Sequence, residues 1–214
     1  MSDAQTSGTA TVQGGTRAAT SVEELRELRD PRTMRAFAHP VRLDLLETLA
    51  LEGPLTATEA AALIGQSATT CSFHLRQLAK YGFVEDAGPG GTRERPWRLT
   101  TIGYRIPEQT GEPEVDLATD SVLSVLTERI FDRARRSIDE RRRYSARWRE
   151  VTGLDEGVIF VTPDEMAEVK RSLEEVLFRF AARLESPAAR PPDAVPIELL
   201  ICSYLMRPEQ EAAS

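Results

Sequence analysis

The segment from Thr56 to Thr100 constrains the fold more than any other part of the chain. Thr58-Glu-Ala-Ala-Ala-Leu-Ile64 reads as a short helix, opened by Thr56 or Thr58 and ended by Gly65. Ser67 then caps a second helix from Ala68 to about Tyr81, ended by Gly82, with Cys71, Leu75 and Leu78 as its apolar stripe. Only about three residues around Gly65 separate the two helices. Phe83-Val-Glu-Asp86 reads as a strand, Pro89-Gly-Gly-Thr92 as a turn and Arg95–Thr100 as the returning strand. Two helices joined this tightly, with a hairpin behind them, form a helix-turn-helix followed by a wing.

The flanking sequence extends this unit. Asp30-Pro31 reads as the start of a helix running to about Ala38, and His39-Pro40 separates it from the next. In that next helix Val41, Leu45, Leu46 and Leu49 share one face, and Gly53-Pro54 ends it. Ser21 with Glu24 reads as a capping box for a short helix through Leu25 and Leu28. Residues 1–20 are Ser, Thr, Gly and Ala with little apolar bulk and are expected to be a disordered tail. The expected domain is therefore 21–105, followed by a linker over 106–114.

A second region is expected over 115–208, with a tail over 209–214. Val115, Val122, Val125, Leu126, Ile130, Ala134 and Ile138 mark a long helix running to about Arg149. Its second half is dense in arginine. Such a run can touch phosphates, pair with acids of a partner subunit, or form a solvated face, and the last two readings are favoured together. Gly157–Thr162 reads as a strand, Thr162-Pro-Asp-Glu165 as the start of another helix, and Val195–Tyr204 as a further strand. The expected fold class is α+β: an N-terminal winged helix-turn-helix, a long C-terminal helix and a small strand–helix–strand region that dimerises or takes up an effector.

Composition limits the functions available. The 214 residues carry a net charge of −7, which by itself argues against nucleic acid. Phosphate attraction is local, however, acting over about a Debye length. From Ser67 to Arg105 six bases face three acids, a local +3 on an acidic body. There are two cysteines, Cys71 and Cys202, far apart, so neither a disulfide framework nor a cysteine-built zinc site is expected. No apolar run reaches membrane-spanning length and the N-terminus does not read as a secretory signal, so a cytoplasmic protein with no membrane partner is expected. No nucleophile–base pair, phosphate-binding glycine loop or metal-ligand cluster stands out, so no enzymatic activity, cofactor or metal is expected.

The second helix of the helix-turn-helix carries the functional signal. Off its apolar stripe stand Thr69, Thr70, Ser72, Phe73, Arg76, Gln77 and Lys80. Short hydrogen-bonding side chains lie near its N-terminus, followed by long basic or amide ones. A helix entering the major groove has this order: N-terminal amides approach phosphate, while Ser, Thr, Gln and Arg reach base edges. An ordinary amphipathic helix with a solvated face is the plain alternative. Arg93 and Arg95 flank the expected wing tip, where an arginine can enter a minor groove or stand in solvent. Trp97 is expected to pack under the wing.

His39-Pro-Val-Arg-Leu-Asp-Leu-Leu46, Thr58-Glu-Ala-Ala, Ser67-Ala-Thr-Thr-Cys-Ser-Phe-His-Leu75 and Gly82-Phe-Val84 together resemble the ArsR-type winged-helix repressors, over about a third of the chain. The resemblance implies a homodimer whose paired recognition helices enter successive major grooves of an imperfect palindrome. It implies DNA-facing roles for Ser67, Thr69, Thr70, Ser72, Phe73 and Arg76. His74 matches the family's His-Leu pair, in a structural or phosphate-facing role. Arg42 matches an arginine that either contacts phosphate or holds an internal ion pair. The metal-sensing members carry Cys-x-Cys in the helix before the recognition helix. Here that position reads Thr58-Glu-Ala-Ala-Ala-Leu63, so thiol-based metal sensing is not expected. The expected partners are double-stranded DNA, a second copy of the chain and an unidentified small-molecule effector. A winged helix turned protein-interaction module, without sequence-specific DNA binding, is the alternative.

Overall fold

The structure, a computed structural model, describes residues 17–18, 25–88, 95–107 and 110–207. Two short strands come first, β1 (Arg17–Ala18) and β2 (Arg26–Glu27). Four helices follow: α1 (Pro31–Phe37), α2 (Pro40–Glu52), α3 (Ala57–Ile64) and α4 (Ala68–Lys80). Then come β3 (Val84–Asp86), β4 (Trp97–Leu99), β5 (Thr101–Ile102) and β6 (Tyr104–Arg105). The C-terminal half holds α5 (Pro113–Glu140), α6 (Ala146–Val151), α7 (Pro163–Phe178) and α8 (Ala182–Glu185).

Local chemistry sets the helix starts. The Asp30 carboxylate accepts from the Thr33 amide at 2.8 Å and stands before Pro31 at the first turn of α1. At α3 the cap is Thr56: its hydroxyl accepts from the Glu59 amide at 3.2 Å, and Glu59 accepts from the Thr56 amide at 2.8 Å, a reciprocal capping box. Gly65 ends α3 at φ +68°, a left-handed conformation that disfavours any residue with a Cβ. Ser67 caps α4 by accepting from the Thr70 amide at 3.0 Å.

Apolar faces then meet in one core. Leu45 and Leu49 of α2, Ala60 and Ala61 of α3, and Cys71, Leu75 and Leu78 of α4 are buried together with Phe83, Val84 and Leu99 of the hairpin. β3 and β4 pair antiparallel, Val84 opposite Leu99 and Asp86 opposite Trp97. Leu55 and Trp97 exchange backbone hydrogen bonds of 3.0 and 2.7 Å, which tie the α2–α3 connection to the wing. The first turns of α5 close the domain, burying Val115, Ala118 and Val122, with α5 packed on α1.

Several expectations need correction. Residues 26–27, expected in a short helix, form a strand that pairs in parallel with β6, Arg26 opposite Tyr104. The register is reinforced by the Leu28 amide, which donates to Arg105 at 2.9 Å. This long-range pairing satisfies the local backbone where a one-turn helix could not. The capping box proposed for Ser21 and Glu24 lies outside the described residues. So do the turn at 89–92 and most of residues 1–20, although Arg17–Ala18 pair in parallel with Thr101–Ile102. The long helix does not run unbroken to Arg149: α5 ends at Glu140, a single 3-10 turn covers Arg141–Arg143, and α6 restarts behind a Ser145 cap. The helix between the two expected C-terminal strands forms as α7, opened by a Thr162–Glu165 capping box. The segments 157–162 and 195–204 themselves pair with no strand among the described residues, because a β-strand needs a neighbouring edge and none is presented to them.

Candidate nucleic-acid interface

With Cys71, Leu75 and Leu78 fully buried on one side of α4, the other side has to face outward. Thr69, Phe73, Arg76 and Lys80 follow one another at spacings of four, three and four residues, and all four are exposed. They make a single stripe down the helix. The Arg76 guanidinium donates to the Ser72 hydroxyl one turn back at 2.7 Å, which holds its fork along the helix. Phe73 is 55% exposed, an apolar side chain set among hydroxyls and bases.

The remaining positions divide. Ser67 is exposed at the N-cap, but its hydroxyl already bonds the Thr70 amide and, at 2.8 Å, the Thr70 hydroxyl. Thr70, Ser72 and Gln77 are half-buried on the flanks of the stripe. His74 turns away from the stripe towards the N-terminus of α2, where its ring meets that of His39 with centroids 4.6 Å apart. Arg42, half-buried, donates to the Arg35 carbonyl at a long 3.4 Å, and no salt bridge holds it among the described residues. Arg95 is exposed on the wing and paired with Asp86 at 2.8 Å. Arg93 lies outside the described residues.

The His39, Arg42 and His74 side chains form a small half-buried polar knot. Nδ1 of each histidine and Nε of Arg42 are buried without a hydrogen-bond partner. Burial holds the His39 pKa below its ordinary value, and the Arg42 charge lowers it further. His74 is lowered by burial first, then by His39 and Arg42. Both rings are therefore held towards the neutral form.

Wing ion pairs redistribute the local charge. Arg98 pairs with Glu85 at 2.8 Å, Arg95 with Asp86, and Arg105 with Glu27 at 3.4 Å. Among the described bases between Ser67 and Arg105, this leaves Arg76 and Lys80 without a carboxylate partner. Among the described residues of this segment, the positive charge free of carboxylates thus sits on the α4 stripe.

One brace was not legible in the sequence. Arg26 donates to the Tyr81 carbonyl at 3.0 Å and the Gly82 carbonyl at 2.6 Å, with its guanidinium 5.4 Å above the Phe83 ring. It satisfies orphan carbonyls at the C-terminus of α4 and fixes the junction to the wing. A lone arginine 55 residues upstream carries no local signal of that role.

Between the domain and α5 lies an open cavity of about 230 Å³, walled by Phe37, Leu43, Leu46, Leu99, Leu126 and Ile130. Burial pushes the Tyr104 phenol beside it up to about 12. At its rim Arg129 pairs with Asp44 at 2.5 Å and Glu47 at 2.6 Å, while Arg133 bridges Glu47 and Glu198. No group of three or more His, Cys, Asp or Glu with metal-binding geometry occurs among the described residues. No described helix is long and apolar enough to cross a membrane.

Residues 37–87 match the family described as Helix-turn-helix domain, a span from the end of α1 to just past β3. No curated protein matches the chain. Solved structures similar to it include the disulfide-formed AbfR, at 15% identity, covering 53% of this chain and 80% of that one with a TM-score of 0.29. Another is the transcriptional regulator Tm0710 from Thermotoga maritima, at 14% identity, covering 72% and 85% with a TM-score of 0.29. The matched segment contains the α3–turn–α4 unit, and the β3–β4 hairpin closes on it: the chain carries a winged helix-turn-helix domain, which supports a DNA-binding transcriptional regulator.

Proposed function

We propose that the protein is a sequence-specific transcriptional regulator that binds an inverted-repeat operator as a homodimer and represses by occluding the promoter. The observation that carries this reading is the α4 stripe. Thr69, Phe73, Arg76 and Lys80 stand exposed on a helix whose opposite face is fully buried, so the stripe is free for a major groove. In the bound state Arg76 reads a base edge, Phe73 meets a thymine methyl, and Lys80 and the α4 amides hold phosphates. Ser67, Thr70, Ser72 and Gln77 support the helix end and its flanks. Arg95 and Arg93 extend the footprint through the wing, Arg95 by exchanging Asp86 for phosphate. His74 and Arg42 act from beneath, positioning α4 against α2. The ArsR-like subtype rests on the motif residues, and with no thiol in α3 it is not the cysteine metal-sensing type. An effector entering the apolar cavity would act on the α2–α5 ion pairs at its rim.

The exposed Phe73 and, on α3, Leu63 at 57% exposure favour a second reading, a protein-interaction module. The test is selection of bound sequences from random duplex DNA at physiological salt. Enrichment of an inverted repeat with half-sites about one helical turn apart is expected. Weak, salt-sensitive binding with no enriched sequence would reject the operator reading in favour of the interaction module. On the selected operator Arg76→Ala should weaken binding by about 1–3 kcal/mol and relax preference at one position. An equal loss on every sequence would make Arg76 a phosphate contact instead.

A further inference from the structure

The C-terminal half exposes what a stable fold buries. From Leu123 to Arg207 none of the described side chains is buried. Phe160 is fully exposed, Ile159 61%, Leu199 60% and Tyr204 78%. The 16-residue helix α7 has an apolar face that is nowhere fully buried: Met166, Val169 and Phe178 are half-buried and Leu173, Val176 and Leu177 are exposed. A helix of that length is marginal in water without a packed face. Segments 157–162 and 195–204 are rich in strand-forming residues yet pair with no strand among the described residues, and such open backbone edges seek another chain.

Charge identifies the occupant. Residues 133–149 hold eight arginines against Asp139 and Glu140, a net +6. Residues 150–178 hold eight acids against Lys170 and Arg171, a net −6. Among the described residues no salt bridge joins the two blocks. The bridges made inside them, Arg143 to Glu140 and Arg171 to Glu168, are local i,i+3 pairs. The same chain therefore carries both halves of two complementary sets, opposite charges and unpaired strand edges. A two-fold axis brings each half against its complement twice. The later segment is already fixed for this. Glu198 is held by Arg133, and Arg190 donates to the Leu51 carbonyl of α2 at 2.6 Å.

We infer that the C-terminal half is the dimer interface: residues 157–162 of one copy pair as a β-strand with residues 195–205 of a second copy. The arginine-rich 133–149 segment of each lies against the acidic 150–178 segment of the other. This inference rests on the homodimeric reading above and assigns its surface. Eight large side chains burying about 100 Å² each would supply the about 800 Å² per partner that a stable interface needs.

Sedimentation equilibrium of the full chain without DNA, joined to amide hydrogen exchange, tests it. Expected is a species of twice 23.8 kDa, with slow exchange at residues 158–161 and 197–203 that becomes fast on dilution to monomer. Ile159→Asp and Leu199→Asp, at positions already exposed in a single chain, should each weaken dimerisation at least 100-fold. Exchange on the unmodified protein decides the matter if either variant fails to fold. A monomer at every concentration overturns both the homodimeric reading and this interface. A dimer that exchanges fast at those amides, or that survives both substitutions, overturns the interface alone. Slow exchange in a monomer would place the pairing within one chain and overturn it as well.

Discussion

The stacked histidines concentrate the domain's chemistry at the residue scale. His39 precedes α2, His74 lies in the middle of α4, and their rings meet in a site where neither Nδ1 finds a partner. Burial and then Arg42 disfavour the protonated form of His39, and burial, His39 and Arg42 that of His74. The folded-state pKa of each lies below its unfolded value, so the unfolded chain takes up protons first as pH falls. The associated stability is complete above the unfolded histidine value, about 6.5, and is lost as pH drops below it. Urea midpoints should fall between pH 7.5 and pH 5.5, and His39→Gln with His74→Gln should flatten that fall. An unchanged pH slope in the double variant would assign the acid sensitivity to other groups. Both histidines were visible in the sequence as parts of motifs. Their contact was not, because it joins two elements 35 residues apart.

At the scale of elements, capping and turn chemistry decide how the recognition helix is presented. The reciprocal bonds between Thr56 and Glu59 start α3, and the left-handed Gly65 turns the chain into the Ser67 cap of α4. Thr56 is also buried, at 8% exposure, so losing its hydroxyl removes a cap and leaves the Glu59 amide without its acceptor. Thr56→Ala should cost about 1–2 kcal/mol of unfolding free energy, read from denaturant midpoints. A change below about 0.3 kcal/mol would mean that water replaces the cap. These starts were legible because a cap is a local bond between residues three apart. The break in the long helix at Tyr144–Ser145 is masked in the sequence, since the arginine run continues across it and keeps a helical composition. Ser145 capping Trp148 was the available signal.

For the whole molecule, the decisive link is the ion-pair cluster between α2 and α5. Burial opposes the charge on Arg129, but the hydrogen bonds it donates to Glu47 and Asp44 outweigh it and keep the guanidinium protonated. Arg133 extends the cluster to Glu198. The carboxylates are more than a third exposed, so solvent screens the pairs and Arg129→Ala should cost about 1–2 kcal/mol rather than the larger loss of a fully buried pair. It should also speed amide exchange in the middle of α5 while leaving α3 and α4 unchanged, which hydrogen-exchange mass spectrometry would resolve. Uniform acceleration across the domain would show that α5 and the domain unfold as one unit.

The sequence by itself determined the four helices of the domain, the tight α3–α4 turn, the hairpin and the stripe from Thr69 to Lys80. Each depends on caps, glycines and apolar spacing within one or two helical turns. Only the tertiary structure decided which bases stay free of carboxylates, where Arg26 anchors and how Arg129 and Arg133 join the two halves of the chain. It also decided that residues 157–162 and 195–204 find no strand partner among the described residues. A strand's periodicity states which face it offers, while its hydrogen bonds depend on an edge supplied from elsewhere.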